Sequence, residues 1–320
     1  MIRIGIVGAG WMARRLLADI AEHDEIAPVG VWSRTAGSRE DIAREFGLAA
    51  MPTLNDLLAA DLDVVYICTT PSSHRELGLA ALRAGIPVLL EKPFTSSARE
   101  AEELIDEAHA RNIFLMEAMW MRFNPVILEM LRRAQEGVFG DLRTLMASAG
   151  FAAPPDHRLW DAGSGGGTLL DGAVYPLTLS QMFLGPVVGI SASGSTTDYR
   201  GRPAGVDSEL AVRTEHGDGR RAMFFTSARG SLPCDAYLGG SAGEVRFDTF
   251  FWNPPAVTFR EGRQPPQRIE STQTGGGYSP MLDALVEALV HGWAEHPLCT
   301  HEQTLAAMRS LDAIRLDARI

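Results

Sequence analysis

"IRIGIVGAGWMARRLLADI", residues 2 to 20, decides how the start of the chain folds. An Ile/Val-rich run (2–7) leads into Gly8, Gly10 and Ala13 at GxGxxA spacing, and a helical pattern follows over 11–23. Gly8 permits a tight turn, Gly10 lets backbone approach a pyrophosphate, and Ala13 lets helix pack closely on strand. The phosphates then meet a helix N-terminus, where free N–H groups and the dipole favour anions. Trp11 and Met12 open that helix and count among the cofactor-binding residues.

The rhythm continues outward from this turn. Runs at 26–32, 62–69, 86–90 and 113–116 read as strands, and 37–46, 54–60, 73–84 and 97–111 as helices, the last capped by Ser96 or Ser97. Such alternation implies right-handed βαβ units and a parallel sheet covered on both faces. After about residue 123 the pattern changes. A helix at 123–136 and the unassigned "DLRTLMASAGF" precede a glycine-rich stretch, then β-like runs at 187–196, 207–214, 220–227, 243–249 and 256–260. "EHGDGR" (215–220) reads as a hairpin turn. Helix returns at 278–293 and 300–316; the Pro/Gly-rich 254–266, overlapping the last β-like run, and 275–277 read as surface loops. The expected fold class is α/β: an N-terminal Rossmann dinucleotide-binding domain (1–120) and a C-terminal α+β domain (121–320) with a mostly antiparallel open sheet.

Composition narrows the partners. The chain has 320 residues, 46% hydrophobic and 22% charged, with net charge −11 and no basic run. Nucleic acid and anionic membranes are therefore not expected partners, and no apolar stretch approaches a membrane span. The N-terminus lacks the features of a signal peptide. Three scattered cysteines fit a reducing, cytoplasmic setting with no disulfide framework, and the histidines show no metal-ligand spacing.

The second strand selects the dinucleotide. An NAD site places Asp or Glu there to bind the ribose 2′-OH. Here "VWSRT" puts Ser33 and Arg34 at that position, a hydroxyl and a guanidinium suited to a 2′-phosphate, with Arg39 assisting. NADP is the expected cofactor, ahead of NAD. "CTTPSSHRE" (68–76) places Thr69, Thr70 and Pro71 at the carboxyl edge of the sheet, with Ser72 or Ser73 capping the next helix. His74 either faces the cofactor or is an exposed first-turn residue.

"PVLLEKPFTS" (87–96) holds Lys92, the one lysine among 29 basic residues. Arginine stays charged, whereas a lysine ammonium can surrender a proton. Glu91, Lys92 and Pro93 follow a strand, so Lys92 projects toward the cofactor cleft, and Pro93 biases it to an extended conformation.

Together GxGxxA, "TTPSSH", "EKPF" and "GGGTLLDGAVY" resemble the glucose–fructose oxidoreductase/inositol dehydrogenase (Gfo/Idh/MocA) family across essentially the whole chain. "MEAMWMRFNP" (116–125) resembles the branch of dimeric dihydrodiol and NADP-dependent xylose dehydrogenases. The resemblance implies a catalytic or substrate-orienting Lys92. Asp171 and Tyr175, four apart and so on one helix face, complete the expected catalytic set: Tyr175 as proton donor and acceptor with its phenolate stabilised by Lys92, Asp171 either positioning the substrate or tuning the pair. Arg122, Asn124 and Arg158 are candidates for orienting substrate hydroxyls or a cofactor phosphate. Trp11, Trp120 and Trp160 either wall the pocket or simply pack. Specificity is expected in loops 152–163 and 229–240.

The implied activity is reversible hydride transfer between NADP and a secondary alcohol or carbonyl of a sugar, cyclic polyol or dihydrodiol, by a homodimer or homotetramer. Two rivals stay open: a non-catalytic NADP-binding regulator, and a redox-neutral NAD-dependent glycosidase.

Overall fold

A computed structural model describes every residue except Tyr199 and Thr274. Its contacts gather into two compact units, Met1–Phe123 with Gln273–Leu305, and Asn124–Thr272 with Ala306–Ile320. The first unit thus takes a segment from late in the chain.

The first unit begins with β1 (Ile2–Val7), α1 (Trp11–Ile20), β2 (Ile26–Trp32), α2 (Ala36–Phe46), β3 (Ala49–Ala50) and α3 (Leu54–Leu58). It continues with β4 (Val64–Ile67), α4 (Pro71–Arg83), β5 (Val88–Leu90), α5 (Ala98–Arg111) and β6 (Leu115–Glu117). The six strands run parallel in the order β3-β2-β1-β4-β5-β6, so the reversal of strand order lies between β1 and β4. Ile4, Ile6, Val64, Val65, Val88 and Leu89 are fully buried. That explains why their segments read as continuous apolar runs rather than alternating ones. Of the two serines before α5, Ser97 caps it, accepting from Glu100 N at 3.4 Å. α4 starts earlier than expected: Thr70 is its N-cap and Pro71, with its pre-set φ, its first residue, so neither Ser72 nor Ser73 caps it.

In the second unit α6 (Pro125–Gln135) precedes β7 (Leu142–Gly150), and a single π-helical turn at Leu169–Ala173 feeds α7 (Val174–Leu184). β8 (Val187–Ser195), β9 (Glu209–His216), β10 (Arg221–Ser227), β11 (Ala236–Gly240), β12 (Gly243–Phe247), β13 (Ala256–Glu261) and β14 (Gln267–Glu270) follow. The sheet order is β14-β13-β12-β11-β7-β10-β9-β8. Every neighbouring pair is antiparallel except β7 with β10. The mostly antiparallel sheet is as expected, and β9 and β10 form the hairpin around 215–220. The β-like run at 256–260 is β13, so the surface-loop reading of 254–266 holds only for its flanks. The unassigned "DLRTLMASAGF" supplies an interior strand, β7, and the loop read at 229–240 ends in another, β11. In those two, small residues and glycines weaken the local β signal, and neighbouring strands override it. α7 packs on β7 and β10; on that face Leu145, Ala222 and Phe224 are buried, while Met146, Met223 and Phe225 on the other stand exposed.

The chain closes with α8 (Ser279–His291) and α9 (His301–Ala318). Among the described residues no helix is long and apolar enough to cross a membrane.

Glu117, the last residue of β6, shows what closing the first unit costs. It is 4% exposed, and burial pushes its pKa from 4.5 to about 7, against the pull of Arg122 and a hydrogen bond from Thr304 Oγ1 at 3.3 Å. The folded chain holds this proton more tightly than the unfolded one. Its contribution is therefore fully present below about pH 4.5 and lost as pH rises to about 7, a change on the order of 3 kcal/mol. Urea unfolding of wild type at pH 5 and 7.5 should show that loss, and Glu117→Gln should lack it. Equal pH slopes in the two proteins would remove Glu117 as the cause.

Candidate active site

The carboxyl edge of the parallel sheet carries four of the expected segments. At the end of β1, Gly8 has φ +122°, and its N–H donates to Trp32 O at 2.8 Å. A Cβ there would stand 3.0 Å from the carbonyl of Cys68. Conformation and close approach both demand glycine. Gly10 is the N-cap of α1 without a side-chain cap, and a Cβ on it would meet nothing within 4 Å. A helix N-terminus facing open space, with no side chain satisfying its first N–H groups, fits a dinucleotide pyrophosphate. Ala13 is fully buried; Trp11 is 65% exposed, and Met12 half-buried.

Past β2, Ser33 is buried and donates Oγ to Thr35 O at 2.9 Å, whereas Arg34 is exposed. Arg39 donates Nη1 to Ser33 O at 3.3 Å and to Pro52 O at 3.4 Å. Its Nε is buried with no partner.

After β4, Ser73 Oγ donates to Thr70 O at 2.9 Å and lies within hydrogen-bond reach of the Thr69 hydroxyl at 2.8 Å. His74 is fully buried rather than an exposed first-turn residue. Its Nδ1 lies 3.1 Å from Pro93 O and 3.2 Å from Phe94 O, and its Nε2 3.2 Å from Thr69 O. Burial lowers its pKa. The ring braces the Thr69 turn against the Lys92–Phe94 turn. Glu91 is 4% exposed and accepts from Tyr66 Oη at 2.5 Å and from Lys92 N at 3.0 Å. Lys92 is half-buried, and the Lys92–Pro93 peptide is cis. Glu91 and His74 therefore hold the backbone on which Lys92 stands.

Beyond β6, Trp120 stacks on Tyr278 with centroids 4.5 Å apart. Arg122 is 3% exposed; its Nη1 donates to Gln303 Oε1 at 3.2 Å, and its Nε is buried without a partner. It faces Glu117 and Gln303 in the first unit's interior.

The remaining candidates lie in the second unit. Asn124, 1% exposed, caps α6, accepting from Val126 N at 3.1 Å and Ile127 N at 3.3 Å, and donates Nδ2 to Asn253 Oδ1 at 2.9 Å. Arg158 pairs with Asp171, Nη2 to Oδ1 at 2.5 Å. Trp160 donates Nε1 to Pro154 O at 2.9 Å and packs on Ala153, Leu159 and Ala228. Tyr175 is 8% exposed and stacks on Trp252 at 5.0 Å and 22°. Asp171 lies in the π-helical turn rather than a regular α-helix. Such turns re-aim side chains and recur at functional sites. Asp207 fastens the turn, accepting from Thr168 Oγ1 at 2.9 Å and Leu169 N at 2.6 Å, and burial raises its pKa. Asp207 and Trp252 escaped the sequence reading: each acts on residues more than thirty positions away, and no local spacing marks them. Among the described residues no cluster of three or more His, Cys, Asp or Glu could hold a metal.

Comparison with known proteins bears on the family and the fold. Residues 2–119 match the oxidoreductase family with NAD-binding Rossmann fold, and 127–246 the GFO/IDH/MocA C-terminal domain. The chain is 31% identical over 269 residues to trans-1,2-dihydrobenzene-1,2-diol dehydrogenase of Mus musculus, covering 82% of this chain and 79% of that protein. It is 33% identical over 263 residues to dTDP-3,4-didehydro-2,6-dideoxy-alpha-D-glucose 3-reductase of Streptomyces antibioticus, covering 79% and 77%. The structure of KijD10, a 3-ketoreductase from Actinomadura kijaniata in complex with NADP and TDP-benzene, superposes with TM-score 0.88 at 26% identity, covering 99% and 97%. The chain belongs to the Gfo/Idh/MocA family, as an NAD(P)-dependent oxidoreductase acting on CH–OH groups.

Proposed function

We propose that the protein transfers hydride reversibly between NADP and a secondary alcohol or carbonyl of a sugar, cyclic polyol or dihydrodiol. The observation that carries the choice of NADP is the end of β2, where Ser33, exposed Arg34 and the unpartnered Nε of Arg39 stand in place of a carboxylate. Guanidinium groups complement a 2′-phosphate, and a carboxylate there would repel it. The substrate class draws support from relatives named for a dihydrodiol and a deoxy sugar.

When bound, the nicotinamide supplies or accepts the hydride. Phosphates would be held by the first N–H groups of α1 beyond Gly8 and Gly10, flanked by Trp11 and Met12. Thr69, Thr70, Pro71 and the Glu91–Pro93 turn would border the ring, with His74 bracing both turns. Tyr175 takes the hydroxyl proton in oxidation and returns it in reduction, and the Lys92 ammonium lowers the cost of the phenolate. Asp171 holds Arg158, and the pair orients the substrate. Arg122 and Asn124 act on the site through the segments they fix, and Trp160 through packing. The exposed Met146, Met223 and Phe225 mark the face through which a homodimer or tetramer would assemble. The cytoplasm, where NADP and reduced thiols coexist, is the proposed location.

A panel of sugars, polyols and dihydrodiols, assayed by nicotinamide absorbance with both cofactors, tests the activity; no turnover in either direction on any of them would sink it. Lys92→Met, Lys92→Arg and Tyr175→Phe should fold and bind NADPH yet lose at least about 100-fold in kcat. Wild-type rates in Lys92→Arg would refute proton handling by the lysine. Arg34→Ala should cut the preference for NADP over NAD roughly tenfold; an unchanged ratio of kcat/KM values would reassign that arginine to the solvent.

A further inference from the structure

Asp19 is a carboxylate where a helix least favours one. It lies in the last turn of α1, at the negative end of the dipole, and is 4% exposed. Two backbone donors from late in the chain hold it: Gly276 N at 2.6 Å and Tyr278 N at 2.8 Å. The approach is so close that a Cβ on residue 276 would stand 2.9 Å from Asp19 Oδ1 and 3.0 Å from the Tyr278 ring. One turn earlier, Arg15 donates Nη2 to Gly276 O at 3.3 Å, with its guanidinium 5.1 Å from the centroid of Trp11. The Tyr278 ring lies against Trp120, and its hydroxyl is 3.9 Å from Met12 Sδ. Segment 275–278 is thus fastened to the C-terminal half of α1, yet it touches Trp11 through Arg15 and Met12 through Tyr278. Those are the two residues that follow Gly10.

We propose that Asp19 is a positioning residue for the dinucleotide: by anchoring segment 275–278 it holds Trp11 and Met12 at the rim of the phosphate cradle and sets how long the cofactor stays bound. The proposal rests on the dinucleotide reading of the α1 N-terminus. Asp19 acts through the loop and reaches no reacting atom, so its loss falls on cofactor binding and leaves the chemical step alone.

Stopped-flow displacement of NADPH from the full-length protein, with steady-state kinetics alongside, tests it. In Asp19→Asn the dissociation rate and the KM for NADP should each rise roughly tenfold, with kcat unchanged or higher. Gly276→Ala, which keeps the carboxylate but crowds it, should do the same and carries the test alone if Asp19→Asn does not fold. A purely structural Asp19 would lower the unfolding temperature of the cofactor-free protein and leave NADPH dissociation within twofold of wild type in both variants. That result, with wild type binding NADPH normally, overturns the anchor. If wild type binds neither NADPH nor NADH, the dinucleotide reading falls and the anchor falls with it.

Discussion

The turns after β1 and β4 touch at a point where no side chain fits. Residue 8 must be glycine both for its φ of +122° and for the carbonyl of Cys68, 3.0 Å from where a Cβ would lie. Because the sheet is parallel, the turns that follow β1, β4 and β5 emerge on one edge, and this contact sets the spacing of the first two. His74 then ties the second to the third, while Tyr66 and Glu91 tie the third back to the sheet. The Gly8 turn, the Thr69–Pro71 turn and the lysine turn are thus joined in series, the first two by the close approach at Gly8 and the Cys68 N–H donating to Val7 O, the last two by His74.

How much of this was legible depended on how local the signal was. β1, β2 and the GxGxxA turn were readable because strand, glycines and helix are contiguous. The parallel strands advertised themselves by being apolar on both faces. β7 and β11 did not, since small residues such as Ala147, Ser148 and Gly239 carry little strand signal of their own and owe their conformation to pairing with neighbouring strands. His74 was visible as a residue but not as a brace, because its partners come from a turn nineteen or twenty positions away. The π-helical turn at Asp171 has no period that distinguishes it in five residues. Asp19 and Asp207 looked like ordinary carboxylates; their partners lie hundreds and tens of residues away, respectively.

Arginine elsewhere in the chain supplies permanent charge. Arg132 and Arg133 bind Glu129 along α6, and Arg158 binds Asp171. Exposed pairs of this kind add little stability individually, but each arginine keeps its charge at any pH the protein meets. Arg39 and Arg122 go further and bury Nε without a partner, a cost of roughly 1–3 kcal/mol per group. The single residue that can change charge on a long flexible stem stands at the lysine turn, braced by His74 and Glu91.

The one parallel pairing in the second sheet has a consequence for assembly. β7 ends at Gly150 and β10 begins at Arg221, so the strands that sit side by side are separated by a crossover containing the glycine-rich stretch, α7, β8 and β9. Closing so long a loop carries an entropic cost that is recovered only late. The β9–β10 hairpin closes over a short turn, so the β7–β10 pairing carries the larger closure cost of the two. The helix bearing Tyr175 lies inside that crossover and packs back on β7 and β10, the very strands it separates in sequence.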